Sequence, residues 1–332
     1  MEYRLLGKSG LKVSSVAVGT WASGGWLWGG TDEIQAVEAI RESINLGITT
    51  IDTAPIYGFG KSEELVGRAI SGLRDKVQVL TKCGLRWDVD QGSWHMETTG
   101  PNGKILQIYR NCRKESIITE CEQSLRRLGS DYIDLYQIHW PDESAPIEEA
   151  ERAFDQLKKD GKIRAAGVSN FSVSQLQTAM AAAPIASIQS PYSMLRRNIE
   201  KDLLPFCITN GIGVLAYSPL QLGILTGKVT PDRKFPPDDL RSKSAYFTPK
   251  NRRRVLAFLD AVKPVADRHE ATLAQLVIAW TIRQPGITAA LVGARNPRQA
   301  RENSAAGGVS LKLSDQDIRQ INAELQKLVI EI

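Results

Sequence analysis

Short stretches with strand character alternate with amphipathic stretches along the whole chain, and this alternation limits the possible folds more than any other feature of the sequence. Most strand-like stretches run directly into a polar or glycine- and proline-containing cluster, and several are rich in valine and isoleucine. They cover residues 16–19, 49–52, 77–82, 133–139, 163–168, 186–189, 213–217 and 288–292. Strict alternation of strands and helices predicts a parallel sheet with helical connections.

The segments between these strands carry helical spacing and helix-start signals. Apolar residues recur at intervals of three and four, as on one helix face, in the run Ile117, Cys121, Leu125 and Leu128. Ser172 and Gln175 form a capping box, and Asn296 is an N-cap followed by Pro297. Eight such units predict an α/β protein with a single (β/α)8 barrel domain over residues 1–332.

The alternative to a barrel is an open doubly wound sheet. That fold favours a G-x-G-x-x-G motif after the first strand, whereas this chain has Gly19-Thr-Trp-Ala-Ser-Gly-Gly25. We expect residues 3–13 to form a hairpin that caps the barrel bottom, and residues 314–330 to form an extra C-terminal helix. Two long connections, 84–113 and 219–249, follow strand ends and are predicted to be loops that act as lids or binding segments.

Composition and charge exclude several classes of protein. The formal net charge of the 332 residues is +5, and the longest basic run, Arg252-Arg-Arg254, is too short for a nucleic-acid patch. No segment reaches the roughly 18 apolar residues of a membrane helix, and no signal peptide is visible. The four cysteines and three histidines lack metal-ligand spacing. We expect a cytoplasmic protein, with no metal site and no nucleic-acid or membrane partner.

Ionisable residues stand at the ends of three consecutive predicted strands. Asp52, Lys82 and His139 end strands two, three and four, and Tyr57 follows Asp52 on a tight loop. Neighbouring parallel strands lie about 4.8 Å apart, so these side chains are expected to meet at the barrel mouth. Each residue alone has a structural explanation, but four of them together at this face indicate a catalytic site.

This cluster suits the protonation of an alkoxide. Asp52 is expected to hold Lys82 charged, and Lys82 is expected to lower the pKa of Tyr57 from its ordinary value of about 10. Tyr57 would then donate a proton, while His139 would orient the same oxygen. Such chemistry needs a hydride donor, which indicates a nicotinamide cofactor.

A series of motifs in order along nearly the whole chain resembles the aldo-keto reductase superfamily. The motifs are Asp52-Thr-Ala-Pro-Ile-Tyr57-Gly58, Gly60-Lys-Ser-Glu63, Thr81-Lys82, Gln137-Ile-His-Trp140, Gly167-Val-Ser-Asn-Phe171 and Gly293-Ala-Arg-Asn-Pro297. Within that superfamily the chain is most similar to bacterial broad-specificity NADPH-dependent aldehyde reductases. The resemblance implies a (β/α)8 barrel that reduces aldehydes and some ketones to alcohols, and a catalytic tetrad of Asp52, Tyr57, Lys82 and His139 with Tyr57 as general acid.

The resemblance also implies where NADPH/NADP+ binds. Ser169, Asn170 and Gln189 would hydrogen-bond the nicotinamide, and Tyr217 would stack on its ring. The other cofactor-binding residues implied are Gly19, Thr20, Trp21, Asp52, Ser218, Pro219, Leu220, Gln221, Gly223, Lys228, Arg241, Gly293, Arg295, Gln299, Glu302 and Asn303. Independently, Arg295 directly precedes a predicted helix N-terminus, which attracts an anion and favours the 2′-phosphate of NADPH over NADH.

Tryptophans indicate the substrate class, because six of the seven follow predicted strand ends, namely Trp21, Trp26, Trp28, Trp87, Trp94 and Trp140. Trp21, Trp87 and Trp140 are expected to join Tyr57 and His139 in an apolar pocket that prefers apolar and aromatic aldehydes. An alternative function is an NADPH-binding regulatory or redox-sensing subunit with slow turnover. We expect a monomer or a weak homo-oligomer whose small-molecule partner is a carbonyl compound.

Overall fold

The structure of the protein is a computed structural model that describes residues 1–332, apart from the side chain of residue 102. It begins with an antiparallel hairpin of β1 (Tyr3–Leu5) and β2 (Lys12–Ser14). The hairpin turn lies against the starts of the barrel strands, since a Cβ on Gly7 would lie 2.3 Å from the backbone oxygen of Ala186. The predicted cap at the bottom of the barrel is therefore confirmed.

The remaining strands form a barrel and a small separate sheet. In chain order they are β3 (Val16–Gly19), β4 (Thr50–Asp52), β5 (Gln78–Cys83), β6 (Leu85–Arg86), β7 (Ser93–Thr99), β8 (Ile105–Arg110), β9 (Ile133–Ile138), β10 (Ile163–Ser169), β11 (Ser187–Pro191), β12 (Gly213–Tyr217) and β13 (Ile287–Val292). All except β6, β7 and β8 pair in parallel and close the barrel, with β13 beside β3. The eight barrel strands within the described residues match the predicted strands to within two residues at each end.

The helices cover the outside of the barrel. They are α1 (Glu33–Asn45), α2 (Lys61–Ile70), α3 (Lys114–Leu128), α4 (Ile147–Lys159), α5 (Val173–Ala182), α6 (Leu203–Asn210), α7 (Pro249–Arg268), α8 (Leu273–Arg283), α9 (Pro297–Lys312) and α10 (Asp315–Lys327). Ser172 begins α5 with a capping box, and Asn296 caps α9, as predicted. The predicted C-terminal helix is α10.

Strict alternation of strands and helices is wrong in one place. Both α7 and α8 lie between β12 and β13, and the sequence analysis did not separate them. The physical reason is that α8 packs on β13 as the crossover helix, whereas α7 packs against α10. The barrel thus keeps one crossover helix at this connection and adds α7 outside it.

The connection 84–113 is not a loop, contrary to the expectation from the sequence. It contains β6, β7 and β8, which form an antiparallel sheet in the order β6-β8-β7. Its strands are rich in threonine, isoleucine, tyrosine and tryptophan, which favour a pleated, half-buried surface. The connection 219–249 is a loop with short 3₁₀ turns at Gln221–Thr226, Leu240–Lys243 and Ala245–Phe247.

Apolar side chains fill the lower part of the barrel and leave its upper end open. The buried cluster inside the barrel is Leu6, Val13, Ala17, Leu80, Leu135, Ala165, Ala186, Leu215, Ala289 and Leu291. None of the helices in the described part of the chain combines the length and apolar character needed to cross a membrane. The four cysteines are buried and free, and the described residues hold no acidic, histidine or cysteine cluster suited to a metal ion.

Candidate active site

A cavity of about 610 Å³ opens at the C-terminal ends of the barrel strands. This is the end at which (β/α)8 barrel enzymes carry their active sites. Asp52, Tyr57 and His139 line the cavity, and Lys82 lies directly behind Asp52. The structure therefore brings the four predicted catalytic residues together.

Lys82 and Asp52 form a buried ion pair at the base of the cavity. Lys82 Nζ donates to Asp52 Oδ1 at 2.6 Å and to the backbone oxygen of Thr53 at 2.8 Å. Lys82 is 0% exposed and Asp52 is 3% exposed, so water does not screen their attraction. Burial lowers the pKa of Lys82, and the negative charge of Asp52 opposes that change.

The second oxygen of Asp52 is held by side-chain amides. Gln189 Nε2 donates to Asp52 Oδ2 at 2.8 Å, and Gln137 Nε2 lies 3.4 Å from the same oxygen. With Lys82 on Oδ1, the carboxylate accepts hydrogen bonds on both oxygens and is fixed in one orientation. Gln189, predicted for the cofactor, thus also positions Asp52, and Gln137 is a positioning residue that the sequence analysis did not assign.

A network of buried hydroxyl groups anchors the loop that carries Tyr57. Ser62 Oγ lies 2.7 Å from Thr20 Oγ1 and 2.9 Å from Thr53 Oγ1. Gly58, directly after Tyr57, has φ of +70°, and a Cβ there would lie 2.2 Å from a backbone oxygen of the loop after β3. Only glycine fits this position without strain, so the turn holds Tyr57 at the cavity wall.

Tyr57 lies between the ion pair and His139. Lys82 Nζ is 4.9 Å from the centroid of the Tyr57 ring. The His139 ring meets the Tyr57 ring edge to face, with centroids 5.7 Å apart and planes at 81°. Trp21 packs on the same tyrosine, with centroids 6.2 Å apart and planes at 29°. These contacts fix the direction of the Tyr57 side chain.

The expectation that Lys82 lowers the pKa of Tyr57 is wrong for this structure. Burial raises the pKa of Tyr57 well above its usual value, and the negative charge of Asp52 raises it further. The physical reason is that the charge of Lys82 is engaged by Asp52, so little positive charge remains to stabilise a phenolate. Tyr57 therefore keeps its proton throughout the physiological pH range.

His139 follows the last residue of β9 and is neutral. Its backbone N–H donates to the oxygen of Cys83 at 2.9 Å, which places it at the tip of the barrel. Burial holds the pKa of His139 well below its usual value, and the positive charge of Lys82 adds to this effect. A neutral imidazole has one N–H donor, so His139 can donate a hydrogen bond to an oxygen in the cavity.

Three residues predicted to contact the nicotinamide are connected to one another. Tyr217 donates from its hydroxyl to Asn170 Oδ1 at 2.9 Å, and Asn170 Nδ2 donates to Ser169 Oγ at 3.0 Å. The Asn170 amide also donates to the backbone oxygen of His139 at 3.0 Å. This network connects the ends of β9, β10 and β12 around one side of the cavity.

The structure places every predicted cofactor-binding residue on the cavity wall except Gln221. Gln221 is buried outside the wall, where its Oε1 accepts a hydrogen bond from Ser193 at 3.0 Å. The residues that line the cavity are Gly19, Thr20, Trp21, Asp52, Ser169, Asn170, Gln189, Tyr217, Ser218, Pro219, Leu220, Gly223, Lys228, Arg241, Gly293, Arg295, Gln299, Glu302 and Asn303.

Comparison with known proteins gives the family. Residues 15–325 match the aldo/keto reductase family. The chain is 41% identical to aldo-keto reductase YhdN of Bacillus subtilis over 332 residues, covering 99% of this chain and 95% of that protein. This chain belongs to the aldo/keto reductase family.

Other aldo/keto reductase relatives carry different descriptions. An NADH-specific methylglyoxal reductase of Escherichia coli is 38% identical, covering 96% of this chain and 97% of that protein. A putative voltage-gated potassium channel subunit beta of Schizosaccharomyces pombe is 33% identical, covering 100% of this chain and 95% of that protein. The family assignment makes this chain an oxidoreductase in class, while relatives differ in activity.

Solved aldo/keto reductases have the same fold. A glycerol dehydrogenase from Gluconobacter oxydans superimposes with a TM-score of 0.84 at 40% identity, covering 99% of this chain and 96% of that one. An aldo/keto reductase from Klebsiella pneumoniae, solved with NADP and acetate, gives a TM-score of 0.71 at 30% identity, covering 97% and 95% of the two chains. These likenesses confirm the (β/α)8 barrel.

Backbone strain in this aldo/keto reductase is concentrated around the cavity. Among the described residues, seven other than glycine have positive φ, and six of them lie in loops at the C-terminal ends of barrel strands. These six are Leu27, Phe59, Asn170, Ser218, Gln221 and Leu222. Such conformations cost about 1–3 kcal/mol each and cluster at functional sites. The strain supports the location of the site.

Arg295 lies at the cavity rim beside the start of α9. Its guanidinium donates to the backbone oxygen of Gly30 at 2.8 Å, and its backbone N–H donates to Gln299 Oε1 at 2.8 Å. Asn296 caps α9, which puts the N–H groups of the first helical turn next to Arg295. The arginine and the helix N-terminus therefore lie side by side at the rim, as the sequence predicts, and anion binding by this corner stays a prediction.

The loop 219–249 crosses the cavity mouth. The backbone N–H of Leu240 donates to the oxygen of Leu27 at 3.2 Å, and the Arg241 guanidinium lies 5.1 Å from the centroid of the Trp28 ring. Lys228, from the same loop, forms an ion pair with Glu302 at 2.8 Å. The predicted binding loop is thus tied to α9 and to the loop after β3.

Two of the three predicted substrate-binding tryptophans are in place. Trp21 and Trp140 line the cavity, but Trp87 does not, because its ring packs against Phe59 outside the cavity with centroids 5.5 Å apart. Trp94 also follows a predicted strand end but does not line the cavity, since it lies on β7 and is 60% exposed. Four of the six tryptophans after strand ends line the cavity, including Trp26 and Trp28 from the loop after β3.

The sequence analysis missed the lining residues that come from the small sheet. These are Leu85, His95, Met96 and Ile108. The signal that could have found most of them was the β-branched and aromatic composition of residues 93–99 and 105–110. Taking that segment as a loop left its inward-facing side chains unassigned.

Proposed function

We propose that this protein reduces aldehydes, and some ketones, to alcohols with NADPH, and that Tyr57 is the proton donor. The observation that carries the proposal is the convergence of Tyr57, His139 and the buried Asp52–Lys82 pair on one cavity. When bound, NADPH supplies the hydride that the carbonyl carbon receives. The side chains described above then act on the carbonyl oxygen.

Tyr57 and His139 act on that oxygen in different ways. The raised pKa of Tyr57 ensures that its proton is present when negative charge develops on the oxygen. His139 is neutral, so it donates a hydrogen bond and orients the carbonyl without placing a second positive charge beside Lys82. Asp52 and Lys82 hold the Tyr57 loop and supply a fixed local dipole.

The residues present fit a nicotinamide dinucleotide. Arg295 brings to the cavity a guanidinium that has no carboxylate partner among the described residues. In contrast, Lys228 is paired with Glu302 and Arg241 with Asp239. Amide groups of Asn170 and Gln189 lie beside the tetrad. The indole N–H groups of Trp21 and Trp28 are buried and lack acceptors among the described residues. Phosphate and carboxamide oxygens provide acceptors for such donors. The complex of the Klebsiella pneumoniae relative with NADP supports the same choice.

Replacement of Arg295 tests the choice of NADPH over NADH. We expect Arg295→Ala to weaken NADPH binding about ten- to hundredfold, because a charge-assisted hydrogen bond contributes about 1.5–3 kcal/mol. NADH binding should change little, since NADH lacks the 2′-phosphate. The measurement is titration of each cofactor by protein fluorescence, with Arg298→Ala, an exposed arginine on α9, as matched control. Equal weakening of both cofactors would contradict the assignment.

A regulatory role is the second candidate, because a relative of 33% identity is described as a putative channel subunit. The two functions differ in turnover. Incubation with NADPH and 4-nitrobenzaldehyde should give continuous loss of NADPH absorbance over many turnovers per site if the protein is a reductase. Oxidation that stops after one turnover per site would favour the regulatory subunit and reject the proposed function.

The apolar wall predicts the substrate preference. Trp140→Ala is expected to raise KM for 4-nitrobenzaldehyde about two- to tenfold and to affect kcat less, because an aromatic contact contributes about 0.5–1.5 kcal/mol. Trp140 is the better position for this substitution than Trp21, because Trp21 also packs on Tyr57 and its loss would disturb the proton donor. Steady-state kinetics give both constants, and Trp94→Ala, outside the cavity, is the control. Unchanged kinetics, or a free sugar as the best substrate, would overturn this preference.

A further inference from the structure

The small sheet contributes one polar ring to an otherwise apolar part of the cavity wall. His95, Met96 and Ile108 line the cavity from β7 and β8, next to Trp140. The His95 ring packs against the Trp140 ring, with centroids 5.4 Å apart. Interaction with the His95 ring is among the causes that lower the pKa of His139, so the two rings lie in the same part of the cavity.

A β-bulge directs His95 into the cavity. Trp94 pairs with Tyr109 and Met96 pairs with Ile108, so His95 is the extra residue on β7. In a regular strand, Trp94 and Met96 would share one face and His95 would point away. Here Trp94 is exposed to solvent, whereas His95 and Met96 both line the cavity. Bulges that redirect a side chain are common next to active sites.

Arg110 fixes the hydrogen-bonding state of His95. Arg110 Nε donates to His95 Nδ1 at 3.0 Å, which requires Nδ1 to be an acceptor. Burial lowers the pKa of His95, and the positive charge of Arg110 lowers it further, so the ring is neutral. The ring proton then resides on Nε2, which leaves one N–H donor available on the side of the ring away from Arg110.

We propose that His95 is a substrate-recognition residue whose Nε2–H donates to a second oxygen of the substrate, and that Arg110 positions it. Among aldehydes of equal size, the substrates favoured carry a hydroxyl or carbonyl oxygen on the carbon next to the reactive carbonyl, while the rest of the wall still favours apolar groups. This inference rests on the proposed function and names its substrate class. The neighbours of His95 on the small sheet that line the cavity, Leu85, Met96 and Ile108, are apolar. A polyhydroxylated sugar would therefore leave several of its hydroxyl groups without partners on this part of the wall.

A matched pair of aldehydes tests this inference. 2-Hydroxypropanal and 2-methylpropanal differ only by a hydroxyl in place of a methyl group. We expect the wild-type protein to show a higher kcat/KM for 2-hydroxypropanal. His95→Leu should lower the ratio of the two kcat/KM values about three- to tenfold, mainly through KM for 2-hydroxypropanal, because one hydrogen bond is lost.

Three further variants separate recognition from structure. His95→Gln retains an N–H donor and should keep most of the preference. Arg110→Gln frees the ring to exchange tautomers and should give an intermediate ratio. Glu97→Ala, at an exposed position on the same strand, should leave the ratio unchanged. Urea unfolding of each variant shows that the comparison is made between folded proteins.

Two results would overturn the inference. One is a loss of kcat/KM in His95→Leu that is equal for both aldehydes, which indicates a structural role alone. The other is a wild-type protein with no preference for 2-hydroxypropanal. If the wild-type protein reduces neither of these aldehydes nor 4-nitrobenzaldehyde with NADPH, the proposed function itself has failed, and this outcome is distinguishable from the other two.

Discussion

Tyr57→Phe is expected to lower kcat for 4-nitrobenzaldehyde by about 10² to 10⁴, because the variant retains the ring but has no proton to donate. The ring contacts with His139 and Trp21 remain possible in the variant, since neither involves the hydroxyl group. NADPH affinity should therefore stay close to that of the wild-type protein. The measurements are steady-state kinetics and fluorescence titration with NADPH.

A second tyrosine controls for the substitution itself. Tyr136 is buried outside the cavity, packs against Phe154 and donates to the backbone oxygen of Ile117 at 3.4 Å. Tyr136→Phe should leave kcat within about twofold of the wild-type value, since the expected loss comes only from the general acid. A Tyr57→Phe variant that kept most of the activity would remove Tyr57 from the mechanism.

Asp52→Ala is expected to lower the free energy of unfolding by about 3–5 kcal/mol and to abolish turnover. The variant leaves the Lys82 ammonium buried without a counter-charge, which is the costly way to break a buried ion pair. It also removes the acceptor for the amide groups of Gln189 and Gln137. Urea unfolding followed by circular dichroism measures the free energy.

Two comparisons make the Asp52 result specific. Asp267→Ala breaks the exposed pair between Lys263 and Asp267, where solvent screening limits the loss to less than about 1 kcal/mol. The double variant Asp52→Leu/Lys82→Met replaces both charges with apolar groups and should recover much of the stability without recovering turnover. If Asp52→Ala were as stable as Asp267→Ala, the ion pair would not contribute to the stability of the barrel.

Much of the barrel could be predicted from the sequence because the patterns that indicate its strands and helix starts are local. Each barrel strand is a short apolar run, and each of the caps at Ser172 and Asn296 is defined by residues within four positions. The convergence of Asp52, Lys82 and His139 followed from their places at the ends of successive strands, because parallel pairing alone brings such ends together.

The elements that the sequence analysis missed combine local signals with contacts between distant parts of the chain. Residues 93–99 and 105–110 pair as a local hairpin, but its place at the cavity wall depends on the tertiary structure. The capping box of Thr272 and Gln275, which begins α8, is a local signal for its boundary with α7, whereas the packing of α7 against α10 depends on the tertiary structure. Trp87 lies outside the substrate pocket because its ring packs against Phe59. Gln221 lies outside the cavity wall because its side chain accepts a hydrogen bond from Ser193.

The sequence by itself indicated the barrel and the meeting of Asp52, Lys82 and His139 at its mouth, because strand order and strand ends depend on local patterns. The resemblance to the family, rather than any local pattern, implied most of the predicted cofactor-binding residues. Only the tertiary structure decided the electrostatics, since the pKa of Tyr57 depends on how deeply the ring is buried and on the engagement of Lys82 by Asp52. It also decided the direction of His95, which a single extra residue in β7 turns into the cavity. Burial and side-chain direction arise from packing across the whole molecule, so no local pattern contains them.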